Sequence, residues 1–217
     1  WQKQEELSMK KKFAIIFAAF WAVVLGAGLG LKAYWNQGDR GVYLVPQREH
    51  SVEEPVLYHQ RDERWSKDKL GDSSYTMGSS GCLTTCIASA LSTQYQNTGT
   101  GREISPGELN QLFTDKGVYN HSGDIVWDKV KEALPEAEVL VASQVDPLEI
   151  EDLLDKGRYP IVKVKIGGNG ASHWVAIMET WDKLYRCMDP LDDSGHLTSL
   201  NDHESVAYRM RCVYWAD

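Results

Sequence analysis

Apolar and polar positions divide the chain into three unlike stretches. Phe13–Leu31 is uncharged at all nineteen positions and directly follows Lys10, Lys11 and Lys12. As a helix rising about 1.5 Å per residue, it would span about 28 Å, close to the roughly 30 Å of a bilayer core. Residues 33–56 show no sustained period and carry Gly38, Gly41, Pro46 and Pro55 among polar residues, which reads as a tether. From Leu57 onward, amphipathic segments with helix-end signals come first and strand-like segments later. That order predicts an α+β domain, with helices packed on an antiparallel sheet.

Helices announce themselves by their ends. Ser105-Pro106-Gly107-Glu108 supplies an N-cap, a first-turn proline and a capping-box glutamate, and Gly117 closes that segment. Asp146-Pro147-Leu148-Glu149 repeats the device, with Leu153 and Leu154 facing inward and Gly157 as the stop. Asp124 opens a segment with Val126, Val130 and Ala133 on one face, ended by Pro135. A helix starting near Cys82 is expected to bury Leu83, Ile87 and Leu91, each four apart.

Strand patterns follow. Val162, Val164 and Ile166 alternate with Lys163 and Lys165, a half-buried strand. Trp174 to Met178 is apolar throughout and suits a central strand covered on both faces. Tyr185 to Met188 and Val206 to Tyr214 complete the expected sheet. No internal repeat or low-complexity tract appears.

These patterns divide the chain into a basic N-terminus over 1–12, a transmembrane anchor over 13–31, a linker over 32–56 and a globular domain over 57–217. A cleaved signal peptide would carry a shorter apolar core of about 7–15 residues and a small-residue cleavage site. The expectation is therefore an uncleaved single-pass anchor, Lys10–Lys12 cytoplasmic and everything after Lys32 outside. Met9 followed by three lysines has the form of a natural start, so residues 1–8 carry no structural expectation. The 217 residues, 42% apolar, suffice for one domain with a real core plus appendages. A net charge of -8 argues against a nucleic-acid partner, since phosphate binding needs a basic surface.

Candidate chemistry centres on Cys82, which opens its helix behind Ser79-Ser80-Gly81. Far downstream come Ser172-His173-Trp174-Val175 and Asp189-Pro190. A helix N-terminus and a neighbouring imidazolium are the features that lower a thiol pKa from about 8.5 into the range of roughly 3.5–7.5. If the strands around Trp181 form a hairpin with the three-residue loop Thr180 to Asp182, partner numbers sum to 362. His173 then lies opposite Asp189, within reach of a carboxylate–imidazole bond. A one-residue slip would pair Asp189 with Trp174 and lose it. In such a scheme Cys82 attacks a carbonyl carbon, His173 is base and then acid, and Asp189 orients the ring.

Several motifs now stand in order: Tyr58-His59-Gln60-Arg61-Asp62-Glu63-Arg64-Trp65, Thr76-Met77-Gly78, Gly81-Cys82, His173-Trp174-Val175 and Asp189-Pro190. Over about residues 57–215 they resemble family thirty-nine of the cysteine peptidases, the bacterial relatives of the bacteriocin-leader-processing enzymes. The resemblance implies a papain-like fold, a peptide or protein substrate and no cofactor. It implies Gln60 as the oxyanion glutamine, Cys82 as nucleophile, His173 as base and Asp189 as third member. Leu83 departs from the small residue such families often place after the cysteine, which narrows access to the thiol. Bacteriocin-processing members are commonly fused to an export transporter, so cleavage after a double-glycine leader is not carried over.

Other residues have plainer readings. Cys86, one turn on, reads as core. Cys187 and Cys212 are open to a disulfide, though alternation puts Cys187 on the Asp189 face. No Cys-x-x-Cys pair occurs, and His50, His59, His121, His196 and His203 are scattered, so no metal is expected. Gly167-Gly168-Asn169-Gly170 resembles a phosphate loop in composition alone. The sequence thus leads to a bacterial, membrane-anchored, extracytoplasmic cysteine peptidase whose partners are its substrate and the bilayer around residues 13–31. An inactive surface module binding peptides or cell-wall material is the alternative, and acyl transfer to an amine would use the same residues.

Overall fold

Eleven consecutive residues, Thr84 through Gln94, are buried on every side of one helix, and the rest of the protein is arranged around it. The computed structural model describes residues 40–216. In chain order the first elements are β1 (Val42–Tyr43), α1 (Met77–Ser80), α2 (Cys82–Thr98), α3 (Pro106–Asp115) and α4 (Trp127–Ala133). They are followed by β2 (Ala137–Val141), α5 (Pro147–Leu154), β3 (Ile161–Lys165), β4 (Ser172–Trp181) and β5 (Leu184–Met188). The chain finishes with β6 (Thr198–Ser199), β7 (Val206–Ala207) and β8 (Arg209–Trp215), and single 3-10 turns cover Ile166–Gly168 and Leu200–His203.

The expected one-sided stripe on α2 is too narrow. Ile87 and Leu91 are fully buried, but so are Thr85, Ser89, Ser92 and Thr93. Small side chains let neighbours approach from all directions, and most of the buried polar groups find a bond, Thr85 Oγ1 being the exception. Ser92 Oγ donates to Ile104 O and accepts from Ile104 N, both at 3.0 Å. Gln94 donates to Trp215 O at 3.0 Å and accepts from Trp215 N at 2.8 Å. The Gln94 bonds fasten the central helix to the last strand and those of Ser92 to the loop at Ile104, while truncating Leu91 to alanine would cost about 2–5 kcal/mol.

The six-stranded sheet has the order β2-β8-β3-β4-β5-β6 and every pairing is antiparallel. Helices on an antiparallel sheet make the α+β architecture expected from sequence. Local caps form as read: Ser105 accepts from Glu108 N while Glu108 accepts from Ser105 N, and Asp146 Oδ1 accepts from Leu148 N at 2.9 Å. Four details differ. Strand β2 carried no clear signal, and Ile166 leaves β3 for a 3-10 turn and is 40% exposed. The expected strand over 206–214 divides into β7 and β8, and α4 starts at Trp127 with Val126 as its cap, not at Asp124.

The segment read as linker also needs correction from Gly41 on, where it belongs to one compact unit, Gly41–Asp217. β1 pairs with β7, and Leu44 is 2% exposed. Val56 N donates to Thr93 Oγ1 at 3.0 Å, and Ser89 Oγ donates to Val56 O. Fully buried Glu151 of α5 accepts from Gln47 N at 3.2 Å, Arg48 N at 3.0 Å, and the Tyr185 hydroxyl. His50 Nε2 lies 2.9 Å from the same carboxylate. One buried acid thus anchors the strap through two of its main-chain donors.

Among the described residues, no helix is long and apolar enough to cross a membrane. The expected anchor over 13–31 lies outside the described residues.

Candidate active site

Cys82 is the first residue of the seventeen-residue helix α2. Its position depends on Gly81, where an added Cβ would stand 2.5 Å from Met77 O and 2.7 Å from Met77 Cα. Only glycine lets α1 end and α2 begin within one residue. No side chain caps α2, so its first N–H groups and the positive end of its dipole are directed at the cysteine. The Cys82 side chain is partly exposed, whereas Cys86 is fully buried and donates its thiol to Trp174 O at 3.3 Å. Burial pushes the Cys86 thiol well up, which leaves it inert at neutral pH.

His173 stands on β4 and Asp189 directly follows β5, with Nε2 2.6 Å from Oδ1. The hairpin that delivers them is not the one expected. Its turn has two residues, Asp182 and Lys183, both at positive φ (50° and 60°), and Trp181 pairs with Leu184. Partner numbers near the turn therefore sum to 365, an odd register that would put His173 and Asp189 on opposite faces. A bulge at Met178 changes the sum to 364, with Ile177 opposite Cys187 and Ala176 opposite Met188. Continuing that ladder sets Asp189 level with Val175, diagonal to His173 on the same face. The direct opposition expected from sequence is wrong by two residues, and an even slip preserves the face.

Burial disfavours a charged His173 ring, but its hydrogen bonds with Asp189 and Cys82, and their charges, outweigh that and raise its pKa to about 9. Since Nε2 is taken by Asp189, Nδ1 is the nitrogen left for Cys82. Burial also opposes ionisation of Asp189, yet bonds from His173, His203 and Leu191 N hold its pKa well below the usual carboxylate range. His203 was among the scattered histidines of the sequence. It is brought to Asp189 Oδ2 at 3.2 Å by the 3-10 turn Leu200–His203, a contact that no spacing rule announces.

Gln60 is 3% exposed and donates Nε2 to Gly78 O at 3.0 Å, leaving a second amide hydrogen. Its Oε1 is buried without a partner. Gln60, Cys82 and His173 line one cleft of about 490 Å³, with Leu83 and Trp174 also on its walls. Asp189 sits outside that cleft, behind the histidine ring. Sequence reasoning thus named four positions that the fold brings together, and missed His203.

The four cysteines are free. Cys187 on β5 and Cys212 on β8 are separated by β3 and β4, so three strand spacings of about 4.8 Å put them roughly 14 Å apart. A disulfide needs Cα atoms within about 7 Å, which removes that pairing. Among the described residues, no group of three or more His, Cys, Asp or Glu side chains is placed to hold a metal ion.

No family model matches the chain, and no curated protein matches it. Among solved structures, it is similar to one from Bacillus anthracis described as a candidate C39-like peptidase. The similarity has 14% identity and a TM-score of 0.45, covering 76% of this chain and 98% of that one.

Proposed function

We propose that this protein is a cysteine-type peptidase that hydrolyses peptide or amide bonds through Cys82. One observation carries the reading: a partly exposed cysteine opens a long helix and shares a cleft with a histidine whose Nε2 is held by a part-buried carboxylate. As a thiolate, Cys82 adds to the scissile carbonyl carbon and the carbonyl π electrons move onto oxygen. The Cys82 N–H and the free Gln60 amide hydrogen are the donors for that oxyanion. His173 gives its Nδ1 proton to the leaving amine as the C–N bond breaks, forming a thioester. Water then adds, His173 takes its proton, and the acid product leaves with the thiolate restored. Asp189 keeps the ring in one tautomer throughout.

The proposal also places the domain outside a bacterial cell membrane. Lys10–Lys12 followed by the uncharged run Phe13–Leu31 supports that location.

The test is an electrophilic thiol probe followed by turnover of a peptide library, with Cys82→Ala as the blank. Labelling at Cys82 with turnover lost in the blank is the expected result. Labelling without turnover would favour a peptide-binding module, and no labelling would end the proposal.

A further inference from the structure

Asp189 serves two histidines. Oδ1 is engaged by His173 Nε2 at 2.6 Å and by Leu191 N at 2.8 Å, while Oδ2 faces His203 Nε2 at 3.2 Å. The His203 ring is 6% exposed, and its Nδ1 is buried without a partner. A buried polar atom left unpaired costs about 1–3 kcal/mol, so an apolar side chain would fill this space at less expense. The one directed bond that distinguishes His203 from such a filler is the bond to Asp189. In that bond Nε2–H is the donor and the carboxylate oxygen the acceptor.

A carboxylate held through one oxygen can swing about its Cβ–Cγ bond, and its second oxygen can then compete for the same donor. Gripping both oxygens fixes the plane of the group, which is what a strong, directional bond to His173 requires. The turn bearing His203 packs on β5 and on the turn Ile166–Gly168, so the donor comes from a supported position. The ring centroids of His173 and His203 are 6.1 Å apart, and His203 is not among the residues that line the cleft.

We infer that His203 is a positioning residue, acting through Asp189 to hold His173 in line with Cys82. This rests on the reading of Cys82 and His173 given above. Nothing in its position relative to the cleft makes His203 a proton donor to substrate, since it does not line that cleft.

Two variants separate positioning from packing. His203→Leu keeps an apolar filler and deletes the donor, while His203→Gln returns an N–H at the reach of Nε2. The full chain is labelled with iodoacetamide at mildly acidic pH, with His173→Ala as the floor. His203→Leu is expected to slow Cys82 labelling about tenfold, the scale of a lost supporting hydrogen bond, and His203→Gln to restore most of it. Equal rates for wild type and His203→Leu would overturn the inference, as would equal losses in both variants.

A second readout does not depend on the peptidase reading. The His173 ring nitrogen resonances should shift in His203→Leu and return in His203→Gln. Unmoved resonances would overturn the inference even in an active enzyme. If wild-type Cys82 labels no faster than Cys86, the proposed function falls, and shifted resonances would still uphold the link from His203 to His173.

Discussion

The backbone N–H of Gln60 donates to the Pro190 carbonyl at 2.9 Å, so the segment carrying the candidate oxyanion amide is bonded to the residue after Asp189. Two halves of the site that are far apart in sequence are thereby fixed to each other by main chain. Side-chain changes at Gln60 should leave this link intact. Gln60→Ala is expected to lower kcat for peptide hydrolysis by about 10²–10³-fold, as loss of one oxyanion donor does. Alkylation of Cys82 should stay near wild type, because it builds no oxyanion. Turnover and labelling measured on the same preparation check both halves, and a parallel loss would mean that Gln60 supports the thiol itself.

The pH profile follows from His173. Its pKa is raised to about 9, so the folded protein keeps that proton well above the ordinary value of about 6.5. The stabilisation it brings is complete below about pH 6.5 and is lost as pH rises through about 9. Turnover should fall along the same basic limb, because the leaving amine loses its acid. Asp189→Asn removes the charge that sustains the imidazolium, and is expected to move the limb down in pH and cut kcat by about 10²–10⁴-fold. Initial rates across pH 5–10 on an uncharged substrate would show it, and an unmoved limb would contradict the assignment.

Acid acts through other groups. Burial opposes ionisation of Glu151, but bonds from Tyr185, His50 and Gln47 N lower its pKa, and that of Asp189 is lowered as well. For a depressed carboxylate, stability is fully present above the unfolded value, about 4, and disappears as pH falls through the folded value. Glu151→Leu leaves His50, Tyr185 and two main-chain N–H groups without their acceptor and should cost about 3–5 kcal/mol. Urea unfolding at pH 7 measures this, and the variant should lose less additional stability than wild type on acidification. Limited proteolysis should cut its 41–50 strap faster.

What could be read from the chain was what is decided locally. Ser105 and Asp146 cap helices through bonds spanning two or three residues, so their signals survive without a fold. The placement of Cys82, His173 and Asp189 was legible because a cysteine at a helix start and two residues on or next to neighbouring strands obey simple geometry. The hairpin register was not, since Asp182-Lys183 lacks the Asn-Gly or Asp-Gly pair that marks a two-residue turn, and a bulge leaves no compositional trace. The strap over 41–56 was hidden for a different reason. Its anchor, Glu151, lies about a hundred residues away, and its own residues look like linker until that acid is buried beneath them. His203 needed a 3-10 turn folded back over β5, which is likewise a tertiary fact.

Met178 and the Asp182-Lys183 turn together act as a parity lock. Adding or removing a single residue at the hairpin tip would turn the histidine strand inside out relative to its carboxylate, unless a compensating change were made at the kink. Changes of two residues would keep the side but displace the pair by one ladder step. Anyone grafting a new loop onto this tip should therefore count residues before weighing chemistry, because an odd insertion would part His173 from Asp189 without altering either residue.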